Sequence, residues 1–490
     1  MSAPGAVDRP SLALLTDLYQ LTMAYGSWRT GTANREAVFH LFFRQHPFRG
    51  GFTIACGLAD VIRHVEDFRF VPEDLAYLAT LPGGDGRPLF GDDFLAYLGD
   101  LRFTGQLDAT PEGTVVFPNE PLIRVQGPIV ECQLLETALL NLVNFQTLIA
   151  TKAARVCLAA RGEPVLEFGL RRAQGVDGGL SASRAAYIGG CTATSNVLAG
   201  KRFGIPVRGT HAHSWVMCFD EEREAFRAYA EAMPNNCVFL VDTYDTLEGV
   251  RHAVEIGRTL REGGHRLLGI RLDSGDLAAL STAAREILDA AGFHDAAIVA
   301  SNDLDEQIIA SLKDQGARID VWGVGTKLVT AYDQPALGGV YKLAALRSAG
   351  GPWEHRIKLS EQPIKVSTPG IQQVRRYERD GQFVGDVIYD LGAAPDGDWV
   401  LVDAHDTTLE RRFPTQLPHR DLLVPIFRDG VPVYAAPQPS EARKKAQEEL
   451  GRLPAACKRF LNPQTYPTGL ERGLYDLKLS LIRRARGAAA

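Results

Sequence analysis

The segment Gly209-Thr210-His211-Ala212-His213-Ser214 places two histidines, with hydroxyls on both sides, directly after the short apolar run Phe203–Val207. A histidine at the end of a strand can act as a base, a metal ligand or a nucleophile. Five further apolar runs also end in polar residues. Val165–Phe168 leads into Gly169-Leu170-Arg171-Arg172-Ala173-Gln174-Gly175, and Val238–Val241 into Asp242-Thr243-Tyr244-Asp245. Leu267–Ile270 leads into Arg271-Leu272-Asp273-Ser274-Gly275-Asp276, Ile298–Ala300 into Ser301-Asn302-Asp303, and Val321-Trp322 into Gly323-Val324-Gly325-Thr326. Arginines, hydroxyls and glycine-rich backbone bind phosphate or carboxylate. Asp242 and Asp273 can accept from sugar hydroxyls or hold Mg²⁺ through water. Each group also has a plain structural reading. Arg171 or Arg172 can be a surface charge, Asp242 and Asp273 helix N-caps, Gly323–Thr326 a turn, and His211 a packed core histidine.

These residues need a frame. Amphipathic stretches (Ser183–Leu198, Glu221–Ala232, Asp245–Glu262, Asp276–Ala291, Asp303–Gln315) alternate with the apolar runs. Such alternation means βαβ units and a parallel sheet. Six units in a row indicate an irregular (β/α) barrel whose strand ends share one mouth. Before it lies an α+β region: a helix over Leu12–Tyr25, a strand over Ala37–Phe43, helices over Asp60–Asp67 and Asp92–Asp100, and a hairpin-like pair, Thr114–Phe117 and Leu122–Val125. Glu131–Ala160 reads as one long helix, with Leu134, Leu135, Ala138, Leu139, Leu142 and Val143 on one stripe. Short strands follow Gly339, and the end of the chain is helical and charged over Glu441–Leu450 and Leu474–Ala485. The expected class is α/β: an N-terminal α+β domain (1–125), the barrel (126–345), a β-rich segment packing back on the N-terminal domain (346–439) and a helical C-terminal extension (440–490).

Composition bounds the partners. The chain has 490 residues, 45% apolar and 23% charged, as in a globular protein with a large core. A net charge of -6 argues against nucleic acid or an anionic membrane as main partner. The seven cysteines form no CxxC pair, which fits a reducing compartment and provides no zinc framework. The first ten residues have no hydrophobic signal core, and no unbroken apolar run approaches the roughly 20 residues of a membrane helix. A cytoplasmic protein is expected.

The segments Glu167-Phe168-Gly169-Leu170-Arg171-Arg172-Ala173-Gln174-Gly175, Gly209–Ser214 and Gly269-Ile270-Arg271-Leu272-Asp273-Ser274-Gly275-Asp276 resemble those of the nicotinate phosphoribosyltransferases, a type II phosphoribosyltransferase family. So do Thr16-Asp17-Leu18-Tyr19-Gln20-Leu21-Thr22-Met23 and Gly338-Gly339-Val340-Tyr341-Lys342-Leu343. The resemblance runs in order from about residue 12 to about 370 and implies a function. The family transfers the 5-phosphoribosyl group from 5-phosphoribosyl 1-diphosphate to nicotinate, in NAD biosynthesis and salvage. It couples this to ATP hydrolysis through a phosphohistidine, with Mg²⁺ accompanying the diphosphate and ATP.

By this likeness His213, not His211, is the phosphorylated histidine. Arg271 meets the nicotinate carboxylate or a substrate phosphate, and Asp273 lies near the ribose. Gly323, Gly325 and Thr326, with Ser301 and Asn302 beside them, form the 5-phosphate loop. Tyr19 and Phe168 sandwich the pyridine. Because that tyrosine comes from a second subunit in related enzymes, a homodimer with shared sites is implied. Arg171, Thr210, Ser214, Lys342 and Lys358 complete the substrate contacts, and no metal ion is ligated directly by protein. Asp242 is expected beside His213, fixing its tautomer. Nicotinamide-specific relatives carry an aspartate where this chain has Cys191-Thr192-Ala193-Thr194-Ser195-Asn196, which favours a carboxylate substrate. The competing readings are a nicotinamide or quinolinate enzyme, or a non-catalytic sugar-phosphate sensor.

Overall fold

A computed structural model describes residues 11–362, 365–403 and 406–487. The readings of residues 1–10 and of the last three residues lie outside the described residues. The chain forms a mixed α/β fold of two compact units. One comprises, among the described residues, 11–147, 336–437 and 448–487; the other comprises 148–335 and 438–447.

The second unit contains six parallel strands. Their order across the sheet is Ala193–Thr194, Val165–Glu167, Val321–Val324, Ala297–Ala300, Gly269–Leu272 and Val238–Leu240. Five of the apolar runs therefore form strands. The sixth, Ile205–Val207, does not: Val207 makes only an isolated parallel bridge to Thr194. The strand in its place, Ala193–Thr194, lies in a polar stretch too short to show a period. The helix expected over Ser183–Leu198 is Gly175–Gly189 instead. Glycines 175, 178 and 179 in its first turns lower its propensity and hide its start.

The first unit is built on a seven-stranded sheet, a six-stranded sheet and a small two-stranded one. In the seven-stranded one, Glu36–Phe43 pairs antiparallel with Gly339–Arg347 on one side and Ile123–Pro128 on the other. The hairpin expected at 114–125 does not form. Val115–Val116 pairs with Thr53–Ile54, whereas Ile123–Pro128 pairs with Glu36–Phe43 and Gln106–Ala109. Pro118 and Pro121 lack the ladder N–H, and Asn119 between them has φ 69°. The first helix is Leu18–Arg29, closed by a capping box between Asp17 and Gln20, so the exposed Leu12 and Leu15 precede it.

The long helix divides at Leu135 into Ile129–Leu134 and Glu136–Ala159. By length and composition this stretch would pass for a membrane span, contrary to the sequence expectation. Its burial and its charges mark it as a core helix. Lys152 and Arg155 are buried within it and pair with Glu306 at 2.7 and 2.8 Å. The C-terminal stretch contains the helices Pro439–Arg452 and Arg472–Ala485, but it is not helical throughout. Thr468–Glu471 is an interior strand of the second, six-stranded sheet, between Trp399–Asp403 and Gln382–Asp390.

That sheet encloses a buried charge cluster. Arg376 is fully buried; its Nε donates to Asp386 Oδ1 at 2.9 Å, its Nη1 to Glu449 Oε2 at 2.9 Å and its Nη2 to the Val115 carbonyl at 2.8 Å. The Tyr466 hydroxyl donates to the same Asp386 oxygen at 3.0 Å. Removing one member of a buried ion pair leaves the other charge uncompensated. Arg376→Met is expected to destabilise the protein by about 3 kcal/mol, seen as a lower thermal midpoint. A loss under about 1 kcal/mol would mean that water reaches Asp386 and Glu449.

Candidate active site

Parallel strands deliver the residues that follow them to one edge of the sheet. The order described above makes the ends of Val238–Leu240, Gly269–Leu272 and Ala297–Ala300 neighbours, so Asp242, Asp273 and Ser301 meet. The helices that follow these strands are capped by other aspartates. Asp245 accepts from the Glu248 N–H, Asp276 from Ala278 and Ala279, and Asp305 from Gln307 and Ile308. Asp242 and Asp273, each three residues before a cap, are thereby left for other partners.

Arg271 and Asp273 form the centre. Arg271 Nη2 donates to Asp273 Oδ1 at 2.9 Å and Nε to Ser301 Oγ at 2.8 Å. Ser301 in turn hydrogen-bonds Asp273 Oδ1. The guanidinium carbon lies 5.8 Å from the centre of the Phe168 ring. Burial alone would push the Asp273 carboxyl up. The Ser301 hydroxyl and the Arg271 guanidinium, with His213 nearby, hold it below its ordinary value, so it is an anion at neutral pH.

His213 opens the short helix His213–Val216. Its Nδ1 is 3.1 Å from Thr243 Oγ1, and its Nε2 is 3.7 Å from Asp273 Oδ2. The expectation that Asp242 orients this ring is corrected. Asp242 Oδ2 instead accepts from the Asp273 N–H at 2.8 Å and the Ser274 hydroxyl at 2.6 Å, tying two strand ends together. Its other oxygen is buried without a hydrogen-bond partner. His211 is the packed histidine. Its ring lies among Phe226, Tyr229 and Phe239, and its Nε2 accepts from the Leu240 N–H at 3.3 Å. Burial lowers its pKa to about 4.

Phe168 follows the strand Val165–Glu167 and is held from below. Glu167 is fully buried; its carboxylate accepts from the Gly169 N–H, from Ser183 Oγ at 2.8 Å and from Thr194 Oγ1 at 2.6 Å. Gly323 is not in a loop, as the phosphate-loop reading required, but inside Val321–Val324. A Cβ there would lie 2.7 Å from the Phe168 ring, so glycine is what lets the ring occupy that space. Gly325 and Thr326 do follow the strand, with Thr326 opening the helix Thr326–Val329. Arg171 is exposed in the turn Leu170–Arg172, and Ser214 is exposed. Thr210 donates to the His211 carbonyl at 3.1 Å. Asn302 is exposed at φ 108°, a region that side-chain-bearing residues rarely adopt.

Tyr19, Lys342 and Lys358 belong to the first unit. Tyr19 lies half exposed on Leu18–Arg29. Burial, with Glu136 nearby, raises its phenol pKa. Burial lowers the Lys342 ammonium pKa, as do Arg44 and Lys358, while Glu136 opposes them. Arg44, the third cation of this group, was not read from the sequence. A cavity of about 410 Å³ in the same unit, lined by Arg44, His46, Arg49, Phe117 and Tyr466 among others, contains none of the expected site residues. Two supporting residues were missed in the second unit. Thr243 stands next to the aspartate chosen in its place, and Glu167 precedes Phe168 in the quoted motif; neither spacing shows what the side chain touches. Among the described residues no group of three or more His, Cys, Asp and Glu is arranged to hold a metal ion.

Comparison with known proteins gives matches along the chain. Residues 14–144, 165–354 and 372–478 match models described as the nicotinate phosphoribosyltransferase N-terminal domain, family and C-terminal domain. A nicotinate phosphoribosyltransferase of Bacillus subtilis is 47% identical over 97% of this chain and 96% of that protein. The one from Homo sapiens is 37% identical over 97% of both. The crystal structure of human nicotinic acid phosphoribosyltransferase superposes with a TM-score of 0.82 at 34% identity, covering 95% of this chain and 99% of that one.

The environment of His211 makes a prediction. The neutral ring is the folded form, so protonation opposes folding. Its contribution to stability is full above its ordinary value of 6.5 and is lost as the pH falls toward about 4. In an imidazole titration followed by NMR, His211 is expected to remain neutral down to about pH 4. A midpoint near 6.5 would show that the ring is solvated.

Proposed function

The chain belongs to the nicotinate phosphoribosyltransferase family, and from that premise we propose how its residues carry out the reaction. It is an enzyme of NAD biosynthesis, joining nicotinate to the 5-phosphoribosyl group of 5-phosphoribosyl 1-diphosphate and releasing diphosphate. The bond formed is from the pyridine nitrogen to C1 of the sugar, and the bond broken is from C1 to the diphosphate oxygen. The nitrogen lone pair is already free, so no strong base is needed. The difficult event is departure of the diphosphate, whose growing negative charge must be met by cations.

The observation that carries the reading is the Arg271 guanidinium beside the Phe168 ring, in one cluster with Asp273 and His213. A pyridine stacked on Phe168 brings its carboxylate toward Arg271, and Tyr19 from a second subunit closes the other face. Ala193–Thr194 offers no carboxylate to repel it; the Thr194 hydroxyl is committed to Glu167. Ser301, Asn302, Gly325 and Thr326 receive the 5-phosphate, and Arg171, Lys342 and Lys358 the diphosphate and ATP. Mg²⁺ bound with the diphosphate would be held through water by Asp242 and Asp273. The hard carboxylate donors and the unpartnered Asp242 oxygen suit it. It would neutralise the leaving group.

His213 is the site of ATP coupling. With Thr243 accepting from Nδ1–H, Nε2 keeps the lone pair that attacks the γ-phosphorus of ATP as ADP departs. Asp273 then stabilises the positive charge the ring acquires. The six parallel strands are taken as an irregular (β/α) barrel, with the Thr194–Val207 bridge extending its edge. Leu12, Leu15, Leu18, Tyr19 and Met23 are all exposed at the start of the first unit. That apolar run supports a homodimer with shared sites. Seven free cysteines support a cytoplasmic location.

The test is mononucleotide formation from 5-phosphoribosyl 1-diphosphate and either nicotinate or nicotinamide, with and without ATP. Nicotinate is the expected acceptor, and ATP should increase the product. His213→Ala should abolish the increment and the phosphohistidine signal while retaining basal transfer. Thr243→Val should slow phosphohistidine formation roughly tenfold or more. Product from nicotinamide alone would overturn the acceptor assignment. Unchanged phosphorylation in Thr243→Val would remove Thr243 from the mechanism.

A further inference from the structure

The helix Gly175–Gly189 ends where the chain turns toward the strand Ala193–Thr194. Gly190 makes that turn at φ 130°, a conformation that favours glycine. Carbonyls at a helix C-terminus have no partner in their own helix. Here one side chain takes the carbonyl of the cap residue Gly190 and that of Cys191 just beyond it. Arg443 Nε donates to the Cys191 carbonyl at 3.0 Å and to the Gly190 carbonyl at 3.3 Å, and Nη2 donates to the Gly190 carbonyl at 3.0 Å. The guanidinium also lies over the Tyr187 ring, 5.4 Å from its centre. Arg443 belongs to the helix Pro439–Arg452, 253 residues downstream of Gly190, and to the same compact unit.

The strand that begins at this clamp reaches the acceptor-ring site in three residues. Thr194 pairs in register with Glu167 and donates to its carboxylate at 2.6 Å. The Ser195 N–H donates to the Glu167 carbonyl at 2.9 Å, which places Ser195 beside Phe168 at the sheet edge. Asn196 then caps the next helix through the Ala199 N–H.

We propose that Arg443 is a positioning residue for the pyridine-binding wall, acting through the Gly190–Cys191 turn and the Ala193–Thr194 strand on Thr194, Ser195 and Glu167. The inference deepens the nicotinate reading and rests on it. It gives the C-terminal helix a part in acceptor binding. A cation at a helix C-terminus is favoured by the unpaired carbonyls and the dipole. Arginine adds a rigid fork that fixes two carbonyls at once, whereas lysine, a point charge on a flexible stem, can satisfy one without orienting both.

The test is steady-state kinetics of the full-length protein. Arg443→Met keeps the stem and removes the donors. Its KM for nicotinate should rise roughly tenfold, with kcat and the KM for 5-phosphoribosyl 1-diphosphate within about twofold of wild type. Arg443→Lys should fall between the two. A nicotinate KM within about twofold of wild type would overturn the proposal, as would a parallel fall in kcat, both affinities and thermal midpoint, which marks a mere staple. If Arg443→Met does not fold, Arg443→Lys decides: a raised nicotinate KM at unchanged kcat supports the proposal, and an unchanged KM overturns it. If wild type makes no product from nicotinate, the acceptor assignment fails instead. The same KM comparison is then read on the pyridine that wild type does accept.

Discussion

A carboxylate with no exposed surface, Glu167, is the constraint on which the proposed ring site depends. A buried charge is tolerated only when its oxygens are fully engaged. Its donors come from three separate places: the Gly169 N–H, the Ser183 hydroxyl and the Thr194 hydroxyl. All three are present together only when the strand Val165–Glu167, the helix Gly175–Gly189 and the strand Ala193–Thr194 are in register. Phe168 inherits that precision because it sits between Glu167 and Gly169. Gly323 on the neighbouring strand supplies the space for its ring, and Arg443 secures the turn that begins the Ala193–Thr194 strand.

A second anion organises the proposed reacting end. Asp273 is held ionised by Arg271 and Ser301, and its backbone N–H is anchored by Asp242. These contacts orient the guanidinium before any ligand arrives, which lowers the reorganisation needed during reaction. The two histidines divide their work by environment. His211 is surrounded by aromatic rings and stays neutral, filling the space beneath the strand ends. His213 is partly exposed and has a hydroxyl and a carboxylate beside its two ring nitrogens, a setting in which a ring nitrogen can meet a phosphate.

Much of the fold was legible because its signals are local. Runs of two to four apolar residues followed by Gly, Asp, Arg or Ser marked five of the six parallel strands. Asp245 and Asp276 ahead of apolar periodic stretches carry helix starts in their own chemistry, whereas the first helix, read from Leu12, begins only after the Asp17 cap. Legibility failed where the cause is distant in sequence. Ala193–Thr194 is a strand because Leu166 and Glu167 pair with it. Val115–Val116 pairs with Thr53–Ile54 rather than with its sequence neighbour, since two prolines block the shorter route. Thr468–Glu471 looks like a link between helices, yet its place is set by partners on both sides, Gln382–Asp390 and Trp399–Asp403.

By itself the sequence determined the family and the acceptor, and the residues proposed for the chemistry, His213, Arg271, Asp273 and Phe168, lie in contiguous motifs. Only the tertiary structure decided which of two histidines is packed and which is presented. It also decided that Thr243 rather than Asp242 meets His213, that Gly323 makes room for an aromatic ring, and that Arg443 closes a turn 253 residues away. The physical reason is the same in each case. Residue type sets what a side chain can do, but hydrogen bonds and van der Waals contacts act over a few ångströms, and only the folded chain determines which groups come that close.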